Sequence, residues 1–364
     1  MQNDNKSIKT LSQENSNDSD YQPANTSLQS RNRKNTSFHK KFFIIKNETK
    51  SHRTSYTTSD SIYIGNLVNK KRNGQGKLIL ADQSYYEGNF KDGEFDGNGF
   101  YRTKNYIYKG QFIAGKKSGK GKMESFSTKS IYEGEFKDDM KEGYGIEKYN
   151  DGSIYKGYYK QNVKQGMGIL SLKKEKLNSI YEGEFKKDKI WGKGKFIWDN
   201  KKQYEGDWEN NEISGFGVLT ENGINHIGYF SHDKKGGYGA SFYTDKKFII
   251  LGKWVNDLIE GIAIIFSMNY NNINDLDKDN NVSEEKIVFM KEGNIIKSNL
   301  TEDEIKDIKI NNQEYINLIK IFHEKFIPTF IKSINNIESF YIHFLIYYYN
   351  ISSFLYNYFY NLIL

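Results

Sequence analysis

Gly115-Lys116-Lys117-Ser118-Gly119-Lys120-Gly121 comes nearest to chemistry in this chain, because glycines and a lysine together can cradle a phosphate. Its spacing is one residue short of a phosphate loop, and Gly121 stands where a Ser or Thr is required. Asp275, Asp277 and Asp279 take positions 1, 3 and 5 of a calcium loop, but Asn280 replaces the glycine at position 6 and Lys286 the Glu at position 12. A solvated acidic loop over residues 269–285 is the alternative. His226 and His232 lie six residues apart, and neither pairs with a further ligand at metal spacing. The many Gly-x-Gly pairs lack the third glycine and following helix of a dinucleotide site. Cys is absent from all 364 residues, which excludes disulfides, thiolate zinc sites, cysteine nucleophiles and S-acylation. The residues therefore predict no catalytic group, no cofactor site and no metal site.

Those glycines belong to a larger regularity. Between Tyr63 and Ala263 a pattern of aromatic, x, Gly, x, aromatic, a six-residue gap and Gly-x-Gly returns nine times at a spacing of about 23 residues. Full copies include Tyr86, Gly88, Phe90, Gly97, Gly99; Tyr108, Gly110, Phe112, Gly119, Gly121; and Tyr132, Gly134, Phe136, Gly143, Gly145. Others start at Tyr155 with Gly157, at Tyr181 with Gly183 and Phe185, and at Tyr204 with Gly206 and Trp208. The end copies decay: Leu67 replaces an aromatic in the first, His226 opens the eighth, and Ile250, Gly252, Trp254, Gly261 and Ala263 make the ninth. Terminal decay is what a stacked array needs at its solvent-facing ends.

Tyr86, Gly88 and Phe90 share one face of an extended chain, with Glu87 and Asn89 on the other. After a polar gap at Lys91 to Asp96 the period of two resumes at Gly97 and Gly99, so each copy reads as a β-hairpin. Recurrent glycine beside an aromatic predicts that a ring lies against bare backbone and that rings stack along the array. The predicted fold is mainly β: an elongated, single-layer antiparallel sheet of about nine hairpin repeats, followed by a smaller α-helical C-terminal region.

The Tyr-x-Gly-x-aromatic unit with its Gly-x-Gly resembles the membrane occupation and recognition nexus (MORN) repeat, over residues 62–266. The resemblance implies a non-catalytic hairpin array used in scaffolding, cytoskeletal assembly and membrane junctions, with lipid-headgroup binding proposed for some members. Function then resides in flanking segments and surface residues.

The formal charge of +7 divides into about +4 before residue 62, about +7 over 62–266 and about −4 beyond. Much of the excess falls in residues 62–122, where Lys70, Lys71, Arg72, Lys104, Lys109, Lys116, Lys117, Lys120 and Lys122 are the candidate contacts for anionic lipid or an acidic partner. Such a face attracts an anionic membrane by about 1 kcal/mol per basic residue; its alternative is a solvated sheet edge. Nucleic acid is disfavoured, because the aromatics are committed to packing and are not free to stack on bases.

Residues 1–61 are polar and predict a disordered N-terminal tail, interrupted by the basic-apolar cluster at residues 39–46, which suits a membrane contact or an added edge strand. No apolar leader occurs in the first thirty residues, so a cytoplasmic setting is expected, with membrane or cytoskeletal association. Residues 267–300 hold the acidic loop and a capping strand ending Met290-Lys291-Glu292-Gly293, and residues 301–364 the C-terminal helices. Thr301-Glu302-Asp303-Glu304 is a capping box, and Ile305, Ile308, Tyr315, Ile319, Phe322 and Phe326 follow at helical spacing. Ser339 to Leu364 carries no Asp, Glu, Lys or Arg, and three readings stand for it: packing on the array or a partner, lying in a membrane interface, or spanning a bilayer.

Three functions follow as expectations. One is a non-enzymatic scaffold or adaptor for protein partners, with self-association through a sheet end open to it. The alternative is a peripheral membrane module contacting anionic lipid, phosphoinositide included, through the basic repeats and the hydrophobic C-terminal helix. A regulatory subunit for an enzyme supplied in trans is the third.

Overall fold

Positive-φ residues come in adjacent pairs along the chain, among them Asp92/Gly93, Asp138/Asp139, Gln161/Asn162, Asn210/Asn211, His232/Asp233 and Asn256/Asp257. Two left-handed residues in succession make the two-residue turn that matches strand twist, so each pair closes a β-hairpin. The mainly β, antiparallel hairpin fold expected from the repeat is the one observed. The computed structural model describes residues 54–58, 60–173, 178–199, 202–243, 245–246, 248–267, 284–326 and 328–329. The basic-apolar cluster at 39–46, the aspartates of the acidic loop and the uncharged stretch 339–364 lie outside them.

The chain forms two units, divided between Lys189 and Ile190. The first contains β1 (Thr54–Thr57), β2 (Ser61–Val68), β3 (Lys71–Leu80), β4 (Tyr85–Lys91), β5 (Glu94–Arg102) and β6 (Tyr106–Ile113). It continues through β7 (Lys116–Ser125), β8 (Ile131–Lys137), β9 (Met140–Lys148), β10 (Ile154–Lys160), β11 (Val163–Lys173) and β12 (Asn178–Lys186). Each strand pairs antiparallel with its neighbour in sequence. Strand β1 falls inside the segment whose composition reads as tail and pairs along β2.

The pairing aligns the repeat glycines into a row, with Gly88 opposite both Gly76 and Gly99, and Gly134 opposite both Gly121 and Gly145. The two glycines of each Gly-x-Gly do different work. Gly97 has φ 91° and sits where the hairpin register shifts, a bulge that needs left-handed backbone. At Gly99 the constraint is space: a Cβ there would come closer than 3.0 Å to the Tyr86 ring. Each ring is pinned further, as Tyr86, Tyr108 and Tyr132 donate their hydroxyls to the carbonyls of Asn89, Gln111 and Glu135 at 2.8, 3.0 and 3.0 Å.

Tyr86, Tyr108, Tyr132, Tyr155, Tyr181 and Tyr204 are at most 1% exposed, each burial contributing about 1.5–3 kcal/mol. The rings do not stack face to face as a ladder. Tyr108 meets Phe112 at 5.1 Å and Phe136 at 5.0 Å with planes near perpendicular, and Tyr132 meets Phe136 and Tyr159 likewise. Edge-to-face contact sets the positive ring edge against the negative face of its neighbour. Phe95, inside the gap read as a polar turn, belongs to β5 and stacks on Tyr86 at 3.8 Å. Only Asp92 and Gly93 turn.

The second unit begins within β13 (Lys189–Asp199) and continues through β14 (Lys202–Glu209), β15 (Glu212–Glu221), β16 (Ile224–Ser231), β17 (Lys234–Tyr243), β18 (Phe248–Val255) and β19 (Leu258–Ser267). The capping strand is β20 (Glu284–Lys291), paired along β19, and a short strand not foreseen, β21 (Asn294–Lys297), folds back on it. Helix α1 (Glu302–Asn311) opens on the Thr301 capping box as expected. The helical run is broken, however, at Asn312, whose φ and ψ of −85° and 108° are extended. Its side chain accepts from the N–H groups of Glu314 and Tyr315, starting α2 (Gln313–Ile321). A π-helical turn, Phe322–Phe326, follows.

Candidate functional site

A sheet has two faces, and the repeat spends one of them on packing. In the complete copies the second aromatic and the leading tyrosine fill the ring face together with a position nine residues after the tyrosine. That position is Arg72, Phe95, Lys117, Lys141, Lys164, Ile190, Ile213, Lys235 and Ile259 in order along the chain. Where it is lysine, the ammonium lies among rings. Lys117 is 4.5 Å from the Tyr106 ring centre and 5.8 Å from that of Tyr108, Lys164 is 5.3 Å from Tyr149, and Lys235 is 4.7 Å from Trp254. Burial pushes Lys117, Lys164 and Lys235 below the usual lysine range, opposed by Asp139, Asp188 and Asp257.

Lys117 therefore leaves the set of candidate lipid contacts: it is 8% exposed, its stem spent on ring packing. Arg72 is half-buried, donating from Nε to the Gly93 carbonyl at 3.0 Å beside the Phe90 ring, and so ties two repeats together. Lys70 and Lys71 lie at the tip of the β2–β3 hairpin, and Lys116 lies at the β6–β7 tip, 3.4 Å from Asp138. Lys104 occupies the β5–β6 connection at the other edge of the strands. Only Lys109, Lys120 and Lys122 come together, in a groove on the face opposite the rings that Glu87, Glu133 and Glu135 also line. Lys109 and Lys122 are cross-strand neighbours, and Lys122 reaches Glu133 at 4.0 Å.

That opposite face differs between the units at the residue between tyrosine and glycine. In the first unit the cross-strand row through this position reads Lys77, Glu87, Phe100, Lys109, Lys122, Glu133, Ile146, Lys156, Ile169, Glu182. In the second it becomes Glu205, Val218, Ile227, Ala240, Leu251, Ile264 and Ile287. Helices α1 and α2 and the π-helical turn cover this apolar row, burying Ile308, Tyr315, Leu318, Phe322 and Phe326 against it. The signal was present in the sequence, as Ile227 and Leu251 break the run of Glu87, Lys109, Glu133, Lys156 and Glu205.

The phosphate-loop resemblance dissolves in the fold, since Gly115 is a hairpin-turn residue and Lys116–Gly121 lie in strand β7 with no helix behind them. His226 replaces a repeat tyrosine inside the ring stripe. Its Nδ1 is 2.9 Å from Ser241 Oγ, and burial beside Lys235 holds the imidazole well below its usual range. His232, at a hairpin tip, meets the Glu212 carboxylate at 2.8 Å. Among the described residues no group of His, Asp and Glu could hold a metal ion, and no helix is long and apolar enough to cross a membrane.

The MORN repeat description matches residues 63–85, 86–106, 108–127, 132–154, 155–174, 181–202 and 204–223. With seven such repeats, the chain is a MORN-repeat protein. The copies opened by His226 and Ile250 lie beyond those matches yet keep the hairpin and the small-residue pairs Gly228/Gly239 and Gly252/Ala263. Alsin of Rattus norvegicus and of Homo sapiens are each 34% identical over 93 residues, which is 24% of this chain and 6% of theirs. The chain thus aligns with a small fraction of those relatives' length. A solved structure of Kluyveromyces lactis Hsv2 aligns with 66% of this chain and 96% of that one at 9% identity, but its TM-score of 0.13 carries no structural inference.

Proposed function

We propose that the protein is a non-enzymatic scaffold or adaptor that holds protein partners at a membrane-cytoskeleton boundary. One observation carries this reading. The ring face is consumed by packing, whereas the opposite face of the first unit alternates charge with exposed apolar side chains such as Tyr144, Tyr158 and Met167. Charged and aromatic groups on a regular, strongly bonded sheet suit specific protein contact more than catalysis, for which a water-shielded pocket with converging polar groups is wanted. The third expectation, a subunit regulating an enzyme in trans, is a special case in which one held partner is that enzyme.

The lipid reading has less to rest on than the sequence offered. Lys109, Lys120 and Lys122 share a groove with three glutamates, and the other six candidates lie at hairpin tips, at the opposite strand edge or within packing. Sedimentation with anionic vesicles at moderate salt, using the full chain and a chain ending at Asn336, tests the membrane half. The scaffold account expects no sedimentation that depends on Lys109, Lys120 and Lys122. Vesicle binding lost on their substitution by Ala would replace it with the membrane module. Purification of the native complex tests the protein half, and a chain recovered without partners contradicts it.

A further inference from the structure

The two units carry the same side-chain arrangement on the face opposite the rings, met by a helical segment in the second and by no helix among the described residues in the first. In the second unit Phe216 and Tyr229 are cross-strand neighbours with ring centres 5.3 Å apart, and Asp207 accepts from the Phe216 N–H at 2.9 Å. The Lys325 ammonium lies 4.0 and 4.3 Å from those two ring centres and donates to Tyr229 Oη. Phe326, fully buried, runs parallel to Phe216 at 6.1 Å. A lysine followed by an aromatic, at the end of an amphipathic helical segment, thus fills an aromatic pair with an acidic neighbour.

Glu135, Tyr144, Tyr158 and Met167 hold the same repeat positions in the first unit as Asp207, Phe216, Tyr229 and Tyr238 hold in the second. Tyr144 and Tyr158 are again cross-strand neighbours, with ring centres 5.7 Å apart at 75°. Here the rings are bare: Tyr144 is 45% exposed, Tyr158 52% and Met167 53%. With Ile169 also exposed, apolar side chains on the three neighbouring strands β9, β10 and β11 face solvent together.

We propose that Tyr144, Tyr158 and Met167 form the docking site for a basic amphipathic helix of a partner protein. A Lys or Arg of that helix lies between the two tyrosine rings, and an adjacent aromatic packs beside Tyr144. The second unit selects this occupant, since the equivalent pair there takes up Lys325 and Phe326. Glu133 and Glu135 on one side, cross-strand from Lys122 and Lys120, and Glu182 and Glu184 on the other bracket the rings with Lys156 between them, so carboxylates stand near enough to receive a cationic side chain. A second copy of the chain does not supply the helix, because its own Lys325 and Phe326 are engaged in its second unit. The inference rests on the scaffold reading and specifies the partner's chemistry.

The probe is a fluorescein-labelled peptide of residues 313–329 carrying Glu314→Lys and Glu324→Lys, titrated into the full-length chain and read by anisotropy. Saturable binding is expected, weakened at least tenfold by Tyr144→Ala with Tyr158→Ala, by Lys325→Ala in the peptide, and by added salt. Glu135→Lys with Glu184→Lys, on exposed positions that leave the rings in place, should weaken it similarly. Absent binding, or binding unchanged in both chain variants, overturns the site, as does sedimentation with anionic vesicles that the tyrosine variant abolishes. The two readings fail separately. Native partners retained by the tyrosine variant sink the site and leave the scaffold standing, whereas a partnerless chain that still binds the peptide sinks the scaffold alone.

Discussion

The Lys117 N–H donates to Asp139 Oδ1 at 3.0 Å while the Asp139 N–H donates to the Lys117 carbonyl at 3.0 Å, a reciprocal clasp between successive hairpins. The same clasp joins Lys141 to Asn162, Lys164 to Asp188, Ile190 to Asn211, Ile213 to Asp233 and Lys235 to Asp257. Each acceptor residue is left-handed, with φ from 65° to 73°, a conformation that Asn and Asp tolerate best among non-glycine residues. The turn that closes one hairpin thereby also binds the hairpin before it.

Asp233→Asn should be close to neutral, because Asn162 and Asn211 already perform this role. Asp233→Ala should cost about 1–2 kcal/mol, since the Ile213 N–H loses its acceptor and the left-handed turn its preferred residue. Urea unfolding of the two variants separates them; equal losses would contradict the clasp.

Gly134→Val should lower stability by about 1–3 kcal/mol or more, as even a Cβ would lie under 3.0 Å from Tyr132 Oη and from the Gly145 backbone. Gly236 has no neighbour within 4 Å of a Cβ and no positive φ, so Gly236→Ala should be neutral or gain about 0.4–1 kcal/mol. Thermal melts decide between them. An unchanged Tm for Gly134→Val would end the ring-over-glycine account.

Glu147 takes a position that is Tyr101, Met123 or Leu170 in neighbouring repeats, and is buried with Lys141 at 2.5 Å and Tyr159 Oη at 2.8 Å. Burial raises its carboxyl, but Lys141, Tyr159 and Lys164 outweigh that and hold it below the ordinary 4.5. A depressed carboxyl stabilises above its unfolded value and loses that contribution as pH falls through the folded one. The wild type should therefore lose stability on acidification below about pH 4.5, and Glu147→Gln should remove that part of the slope. At pH 7 Glu147→Gln should cost about 3–5 kcal/mol, because the largely buried Lys141 ammonium loses its carboxylate while Lys164 keeps Asp188. A parallel acid profile in the variant would exclude the pairing.

Lys325→Ala and Phe216→Ala should each loosen the helical cover of the second unit, with a coupling energy of about 0.5–2 kcal/mol in a double-mutant cycle. Additive losses would mean that the lysine merely lies near the ring.

The hairpins were legible because aromatic and glycine alternate with a period of two and pack on backbone, a local rule that every copy repeats. The Thr301 box was legible for the same reason. Lys117 was not, since charge alone suggests solvent; its burial shows only when the position is read down the repeats, where lysine alternates with Phe95, Ile190 and Ile213. The break at Asn312 depends on its side chain competing for two backbone N–H groups, which helical spacing does not register. The covered and exposed faces were distinguishable in principle from Ile227 and Leu251 against Glu133 and Lys156, but only once the sheet face had been assigned. The Tyr144–Tyr158 pair emerges only from cross-strand register.

The most direct test compares native complexes purified with the wild-type chain, with Tyr144→Ala/Tyr158→Ala and with Lys70→Ala/Lys71→Ala. The structure predicts that partners co-purify with the wild type and the hairpin-tip variant and are lost from the tyrosine variant, with all three chains melting alike. Partners retained by the tyrosine variant, or a wild-type chain recovered alone, would contradict the claim that specificity resides on the exposed face of the first unit.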